Sequence, residues 1–304
     1  MIKKPTELNF TGKRLCMIIA GVPGIGKTTL ALSAPSPLLI DLDKGVSRVE
    51  ARYRKDVDEV NTYEELKEDL QNSDLSEYET IVIDTGGKLS ELMKPYLIAK
   101  EAKNGQRDGS LSLKGFGALK REFRSFISFV KSLNKHLIII FHATEVALAN
   151  DVTGLRIRME GGTKDEIWDD VDIGGFVEMV GKNRTISFSN CERFYAKGTH
   201  GVHGTYEIPV LEKGAKNDFV AKLFTSIQDD MNAETEELKK YQGVMEEFTP
   251  RIAVAKDATE LNNIFADLAK ATHYLTSKDE LWFALNNKAL ELKLAYDKTA
   301  KQFK

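Results

Sequence analysis

The stretch Gly21-Val-Pro-Gly-Ile-Gly-Lys-Thr28 decides the fold of this chain, because it matches the pattern G-x-x-x-x-G-K-[ST] in full. Its glycines let the backbone turn tightly, so that successive N–H groups point inward at phosphate oxygens. Lys27 is expected to neutralise the terminal phosphates of ATP, and the Thr28 hydroxyl is expected to bind Mg²⁺. The residues expected to surround the phosphates are Gly21, Val22, Pro23, Gly24, Ile25, Gly26, Lys27, Thr28 and Thr29.

The sequence on either side of this loop supplies the context that the pattern needs. Residues 15–20 form an apolar run typical of a buried strand, and a helix is predicted to begin near Lys27 and to end before Pro35. Further strands are predicted at residues 38–40, 80–83 and 137–141, and a hairpin at 176–189. This alternation of strands and helices predicts an α/β fold with a mostly parallel sheet flanked by helices.

The composition changes near residue 228, which predicts a second region. Beyond this point the chain has no strand-like run, and apolar residues recur at helical spacing. Three amphipathic helices are predicted there, the last opened by a capping box formed by Ser277 and Glu280. We therefore expect an α/β core over residues 1–228 and a helical C-terminal region over residues 229–304.

Charge and cysteine content narrow the class of protein. The formal net charge is −3, so binding to nucleic acid has to come from local basic loops and not from a global positive field. The two cysteines lie far apart and without metal-ligand spacing, which favours a reduced, cytoplasmic protein. The sequence contains no apolar run long enough to span a bilayer, so no membrane partner is expected.

Polar residues at the ends of the predicted strands are candidates for the chemistry. Asp84 ends an apolar strand, as expected of an aspartate that holds Mg²⁺ through water. Asp43 follows the second strand, where a carboxylate can orient a water molecule for attack on the terminal phosphate; Asp41 is the alternative for that role. His142 ends the fourth strand and is a candidate for sensing the terminal phosphate, the other interpretation being a histidine that caps its own turn.

With these residues placed, the chain resembles the RecA-like ATPases, and among them the phage single-strand-annealing recombination ATPases of the Sak type. The resemblance extends over about residues 10–225. It is carried by the phosphate loop and by five further segments, Leu39-Ile-Asp-Leu-Asp-Lys-Gly45, Ile81-Val-Ile-Asp-Thr85, Ile139-Ile-Phe-His142, Asp172-Ile-Gly174 and Arg193-Phe-Tyr-Ala-Lys-Gly198. The resemblance implies a RecA-like core and supports the roles of Asp43 and His142.

The resemblance also implies partners. In such proteins ATP lies between neighbouring subunits of a homo-oligomer, and a basic residue late in the core reaches the neighbour's phosphate. Lys197 is the candidate for that residue, with Arg193, Lys182 and Arg184 as competitors.

The segment after His142 corresponds to the DNA-facing loops of the family. It makes Arg156, Arg158 and Lys164 candidates for contacts with single-stranded DNA, although acidic residues follow them directly. The C-terminal helices loosely resemble the ends of phage annealing proteins, and a single-strand-binding protein is a further candidate partner.

The leading hypothesis is thus a recombination protein that binds single-stranded DNA and hydrolyses ATP slowly, with DNA stimulating the reaction in the cytoplasm of a phage host. A small-molecule phosphotransferase of kinase type is the alternative enzyme, with Gln106-Arg107-Asp108 as part of a lid. A third hypothesis is a nucleotide-gated assembly protein with negligible hydrolysis.

Overall fold

The computed structural model describes residues 2–147 and 153–304, apart from the side chains of residues 163 and 165. The strands are β1 (Cys16–Gly21), β2 (Pro37–Asp41), β3 (Val57–Asp58), β4 (Thr80–Asp84), β5 (His136–Ala147), β6 (Thr153–Ile157), β7 (Ile173–Val180), β8 (Asn183–Ser187), β9 (Thr205–Glu207), β10 (Tyr296–Asp297) and β11 (Gln302–Phe303). The helices are α1 (Lys27–Ala31), α2 (Tyr63–Asn72), α3 (Gly86–Lys100), α4 (Leu113–Ser132), α5 (Thr163–Glu166), α6 (Phe219–Val254), α7 (Ala258–Leu268) and α8 (Ser277–Glu291).

A nine-stranded sheet organises the first part of the chain. Its order is β3-β2-β4-β5-β1-β7-β8-β9, and β6 pairs with the second half of β5. The six strands from β3 to β7 in this order run parallel, whereas β6, β8 and β9 are antiparallel to their neighbours. Every residue of β1, β2 and β4 is buried, as expected for parallel strands covered on both faces. This is the α/β P-loop NTPase fold that the sequence predicts, followed by C-terminal helices.

The register of the parallel strands brings the candidate residues to one edge of the sheet. Gly21 at the end of β1 lies opposite His142 on β5, and Asp41 at the end of β2 lies opposite Asp84 on β4. The strand that carries His142, β5, lies between β1, which leads into the phosphate loop, and β4, which ends at Asp84. Ligands of open α/β sheets bind at this carboxyl edge.

Helix α3 is the main element of this sheet region that the sequence pattern does not indicate. It begins with Gly86 and Gly87 and contains Pro95, and glycine and proline are the residues least favourable to a helix. Thr85 caps its first turn by accepting a hydrogen bond from the Lys88 N–H at 3.2 Å. The buried residues of its inner face, Leu89, Met93 and Leu97, pack into the core, so tertiary packing overrides the weak local propensity.

The chain divides into two compact units, Gly12–Ile227 and a second one of Met1–Thr11 together with Gln228–Lys304. The inclusion of the N-terminal residues in the second unit is not indicated by the sequence. It has a local basis, since the Phe10 N–H donates to Asn232 Oδ1 at 3.0 Å.

The C-terminal helices α6, α7 and α8 follow the predicted pattern, with two corrections. A small antiparallel pair, β10 and β11, follows α8, although no strand was expected beyond residue 228. Ser277 is the first residue of α8 and is fully buried, and its hydroxyl accepts from the Tyr274 N–H, so it does not act as the helix cap. These helices have their own hydrophobic core, which includes Leu261, Leu281 and Leu285.

No helix in the described ranges is long and apolar enough to cross a membrane.

Candidate active site

The phosphate loop connects β1 to α1 in a conformation that favours glycine at its last turn. Gly26 has φ of +85°, which L side chains rarely adopt. A Cβ atom at this position would also lie 2.1 Å from Nη1 of Arg184, so any side chain here would displace the arginine. The following residue, Lys27, opens α1.

Lys27 is a buried cation without a carboxylate partner in the part of the chain that the structure describes. Its side chain is 4% exposed, and its ammonium donates to the Val22 carbonyl at 2.8 Å and lies 3.2 Å from Nδ1 of His142. Burial lowers the pKa of Lys27 to about 8, although Asp84 and Asp43 act in the opposite direction. A buried ammonium of this kind is suited to an anionic ligand, and the surrounding loop has the sequence pattern that binds the phosphate groups of a nucleotide.

Thr28 and Asp84 form the second contact of the site. The Thr28 hydroxyl donates to Oδ2 of Asp84 at 2.6 Å. Burial raises the pKa of Asp84; the hydrogen bond from Thr28 lowers it, and the nearby Asp41 and Asp43 raise it further. A hydroxyl and a carboxylate this close together are oxygen ligands of the type that Mg²⁺ prefers, and Mg²⁺ commonly keeps several waters besides one or two carboxylates. These residues therefore fit the metal that the phosphate loop implies.

Asp43 and His142 complete the group at the sheet edge. Asp43 Oδ2 lies 3.8 Å from Nε2 of His142 and accepts a hydrogen bond from Nη2 of Arg48 at 2.9 Å. Burial and the charge of Lys27 lower the pKa of His142, with Asp43 acting in the opposite direction, so the ring is neutral at physiological pH. Because the Lys27 ammonium can only donate, Nδ1 of His142 is the acceptor and the ring proton lies on Nε2, on the side of Asp43.

Asp41, the alternative to Asp43, has a different task. It is 1% exposed, and its two carboxylate oxygens accept from the N–H groups of Gly45 and Val46, both at 2.8 Å. Both oxygens are thus engaged in closing the turn after β2, and neither is free to orient a water molecule. The geometry therefore leaves Asp43 as the candidate of the pair.

Lys197 does not lie with these residues of its own subunit, and its assignment as a cation that reaches a neighbouring subunit stays a prediction. Its ammonium donates to the carbonyls of Trp168 at 3.1 Å, Asp169 at 3.4 Å and Val171 at 2.6 Å. It also pairs through its backbone with Gly174, near the start of β7 and away from the carboxyl edge. Lys197 therefore holds the segment that precedes β7.

Two of the three competitors for that role are also engaged. Arg193 forms an ion pair with Glu178 at 3.1 Å. Arg184 lies against the phosphate loop of its own subunit, with Nη1 3.4 Å from the Ile25 carbonyl. The sequence did not indicate that Arg184 contacts the phosphate loop, because 159 residues separate Arg184 from Ile25.

The basic residues after β5 share one cavity with the residues of the active site. A cavity of about 540 Å³ is lined by Arg156, Arg158 and Lys164, and also by Asp43 and His142. The backbone N–H of Arg158 donates to the His142 carbonyl at 2.6 Å, which fixes this segment beside the histidine.

The acidic residues that follow this segment are partly neutralised by α4. Glu166 pairs with Lys120, and Asp170 pairs with Arg124 at 2.8 Å. An aromatic residue that the sequence pattern did not point to also lies here: the Arg156 guanidinium stands 4.5 Å above the ring of Tyr195, which is 44% exposed.

Comparison with known proteins agrees with this geometry. The model of a family described as AAA domain (AAA_24) matches residues 13–200. No curated protein matches the chain. The family match covers more than half of the chain and includes the phosphate loop, Asp43, Asp84 and His142; the chain therefore belongs to the AAA domain family of P-loop ATPases.

Proposed function

We propose that this chain is a Mg²⁺-dependent ATPase that acts on single-stranded DNA as a recombination protein of the phage type. One observation carries the ATPase part of the proposal: the Asp43 carboxylate and the Lys27 ammonium stand on either side of His142, at 3.8 Å and 3.2 Å from its two ring nitrogens. A phosphate-binding cation and a carboxylate able to receive a proton thus border the same space.

The residues of the phosphate loop would bind the substrate. Lys27 neutralises the phosphate chain, and burial strengthens this attraction because little water screens it. Thr28 and Asp84 would hold Mg²⁺, which neutralises charge on the phosphate oxygens when it is bound. The αL conformation of Gly26 keeps the loop closed around these groups.

Asp43 would promote hydrolysis by orienting a water molecule and accepting its proton. The water oxygen forms a bond to the terminal phosphorus of ATP while the bond to the bridging oxygen breaks, which gives ADP and inorganic phosphate. The Nε2–H of His142 faces Asp43, so His142 is positioned to report the state of the carboxylate and of Lys27 to the backbone of β5. Asp43 is also held by Arg48, which keeps its carboxylate at the edge of the site.

The cavity beside His142 supports a nucleic-acid partner. Arg156, Arg158 and Lys164 line it, and phosphate contacts by such residues provide most of the affinity of non-specific DNA binding. Tyr195 adds an exposed aromatic ring, on which the bases of a single strand can stack. An ATPase site and a basic cavity that share Asp43 and His142 suit a protein in which DNA stimulates hydrolysis.

The proposal extends to assembly. RecA-like proteins bind ATP between subunits, so we propose a homo-oligomer whose subunits meet at the phosphate loop, with a single-strand-binding protein as a further partner. Of the cations considered for the contact with the neighbour's phosphate, Lys182 in the turn between β7 and β8 has no ion-pair partner among the described residues.

The test is ATP hydrolysis at fixed Mg²⁺, with and without single-stranded DNA, together with ATP binding, for the wild type, Lys27→Ala and Asp43→Asn. We expect DNA to raise the wild-type rate and Lys27→Ala to lose binding. Asp43→Asn should keep ATP binding and lose about a hundredfold in kcat, because only transition-state interactions are removed. A rate unaffected by DNA, with no DNA binding at low salt, would remove the DNA partner from the proposal.

A phosphotransferase remains the second candidate, because the cavity next to Asp43 also has the size of a small-molecule site. In that case Asp43 would deprotonate an acceptor hydroxyl instead of water. Transfer of labelled phosphate from ATP to a nucleoside or sugar, at a rate above that of hydrolysis, would favour this function. ATP binding without hydrolysis or transfer would instead favour the nucleotide-gated assembly protein.

A further inference from the structure

The strand order gives the phosphate loop two different flanks. On one side of β1 lie β5 and β4, which carry His142 and Asp84, and β2, which is followed by Asp43. On the other side lie β7 and β8. The terminal phosphate of a nucleotide bound at Lys27 has to face the first flank, since the groups proposed to act on it are all there. The remainder of the nucleotide therefore leaves the loop on the flank of β7 and β8.

Arg184 is a cation of this second flank that contacts the phosphate loop. It lies on β8, where it pairs with Met179 of β7, and its Nη1 stands 3.4 Å from the Ile25 carbonyl. The guanidinium rests directly on Gly26, where a Cβ atom would lie 2.1 Å from Nη1. Arg184 thus contacts the phosphate loop one residue before Lys27, from the side opposite Asp84.

The charge of Arg184 has no counterpart in the described part of the chain. Burial alone lowers the pKa of this guanidinium, with no contribution from a neighbouring carboxylate. It borders a narrow cleft of about 20 Å³ that is otherwise lined largely by apolar residues, including Leu30, Ile208 and Leu211. Asp218 also borders the cleft, but it pairs with Lys222 at 2.9 Å.

We propose that Arg184 binds the α-phosphate of the nucleotide from within the same subunit and so sets the affinity for nucleoside di- and triphosphates. The inference rests on the nucleotide site proposed above and adds to it a residue outside its motifs. A planar guanidinium is suited to this task because it presents several donors to phosphate oxygens. Since Arg184 lies on the flank away from Asp43, it contributes to binding and not to the hydrolytic step.

Equilibrium binding of ATP and ADP tests the proposal on the full chain. We expect Arg184→Gln to weaken both nucleotides equally, by about tenfold, because both contain the α-phosphate. Arg184→Lys retains the charge but not the planar set of donors, so its loss of affinity should be smaller than that of Arg184→Gln. At saturating ATP, kcat of Arg184→Gln should stay within about threefold of the wild-type value. Lys213→Ala, which removes an exposed positive charge from the segment before α6, is the control for net charge and should bind as the wild type.

Several results would overturn the assignment. Wild-type affinity in Arg184→Gln, a loss for ATP alone, or a fall in kcat at unchanged affinity would each do so. An equal loss of affinity in Lys213→Ala would show that the effect depends only on the net charge of the protein. Wild-type affinity in Arg184→Gln together with a loss in Arg184→Lys would indicate that Arg184 acts through packing.

The melting temperature without nucleotide shows whether each variant folds. If Arg184→Gln does not fold, Arg184→Lys is compared with Arg184→Met, which keeps the length of the side chain without its charge. Failure of the wild type itself to bind ATP would contradict the proposed function, whereas normal binding in both the wild type and Arg184→Gln would contradict only this inference.

Discussion

At the scale of single residues, the main feature of the site is the environment of the Lys27 ammonium, which determines whether this side chain is charged. The ammonium is buried, its two close partners are an uncharged carbonyl and a neutral imidazole, and the nearest carboxylates act on it only at longer range. Such an environment disfavours the cation until an anion is bound, so binding of a phosphate chain and protonation of Lys27 are linked.

This linkage predicts a pH dependence of ATP affinity. The pKa of Lys27 is about 8 in the free protein, and bound phosphate should raise it, so ATP binding takes up a proton once the pH exceeds about 8. Asp43→Asn removes a charge that raises the pKa of Lys27, so in this variant the affinity for ATP should already be falling at pH 8, by about tenfold per pH unit. That variant is chosen because hydrolysis does not interfere with the titration.

Lys27→Arg is the matched control for this titration. Its guanidinium stays charged over the whole range, so its affinity, whatever its size, should not vary with pH. An Asp43→Asn affinity that is constant as the pH passes through 8 and beyond would show that Lys27 keeps its proton without a ligand and would contradict the pKa argument.

At the scale of elements, β5 and β6 connect the ATPase site to the basic cavity. β5 continues for several residues beyond His142, and β6 returns beside it, so that Arg156 lies opposite Thr144. The loop that contains Tyr195 reaches the same place, because the Leu155 N–H donates to the Arg193 carbonyl at 2.6 Å. The sheet thus brings basic and aromatic residues together from segments that are far apart in the sequence.

Tyr195 provides the test at this scale. If the chain binds single-stranded DNA as proposed, Tyr195→Ala should weaken that binding by about tenfold, because a base would lose its stacking partner. Tyr195→Phe keeps the ring and is the matched control, with affinity expected to be close to that of the wild type. The measurement is fluorescence anisotropy of a labelled single strand at fixed salt. Equal losses in both variants would attribute the effect to the hydroxyl and contradict stacking.

At the scale of the whole molecule, each of the two compact units has a hydrophobic core among the described residues. The core of the first unit includes Leu119, and that of the second includes Leu285, and both side chains are fully buried. Each core also has a tryptophan whose fluorescence can follow its unfolding. Trp168 belongs to the first core, and Trp282 packs against Tyr296 at 4.9 Å in the second. These two are the only tryptophans of the sequence.

Because each unit has its own core, a cavity made by truncating a leucine in one core should destabilise the unit that contains it. Leu285→Ala should lose about 2–5 kcal/mol of unfolding free energy in the transition that Trp282 reports, and leave ATP affinity within about twofold of the wild type. Leu119→Ala is the matched variant of the first unit and should lower the transition reported by Trp168. Urea unfolding followed by fluorescence in single-tryptophan backgrounds measures both transitions. A loss of ATP affinity in Leu285→Ala would contradict the separation.

The sequence by itself determined the features that depend on neighbouring residues. The phosphate loop follows from the chemistry of Gly21–Thr28, and the position of Asp84 follows from a buried strand that ends at this residue. The buried run before His142 was recognised as well, but the expected strand end at His142 was wrong, because β5 continues to Ala147. Because parallel strands in such sheets end at one edge, placing these residues together required only the correct strand assignment. The helical pattern likewise sufficed for α6, α7 and α8, whereas α3 was missed because its glycines and Pro95 hide a helix that packing stabilises.

Only the tertiary structure decided which distant residues meet. Both Lys197 and Arg184 are basic residues late in the core, and their sequence surroundings do not distinguish them. The fold directs one to the carbonyls of Trp168 and Val171 and the other to Gly26. The pairing of Arg156 with Tyr195 depends on the fold in the same way. The physical reason is that a side chain's role depends on the charges and carbonyls within a few ångströms of it, and for these residues those neighbours are brought in by strand pairing between segments far apart in the chain.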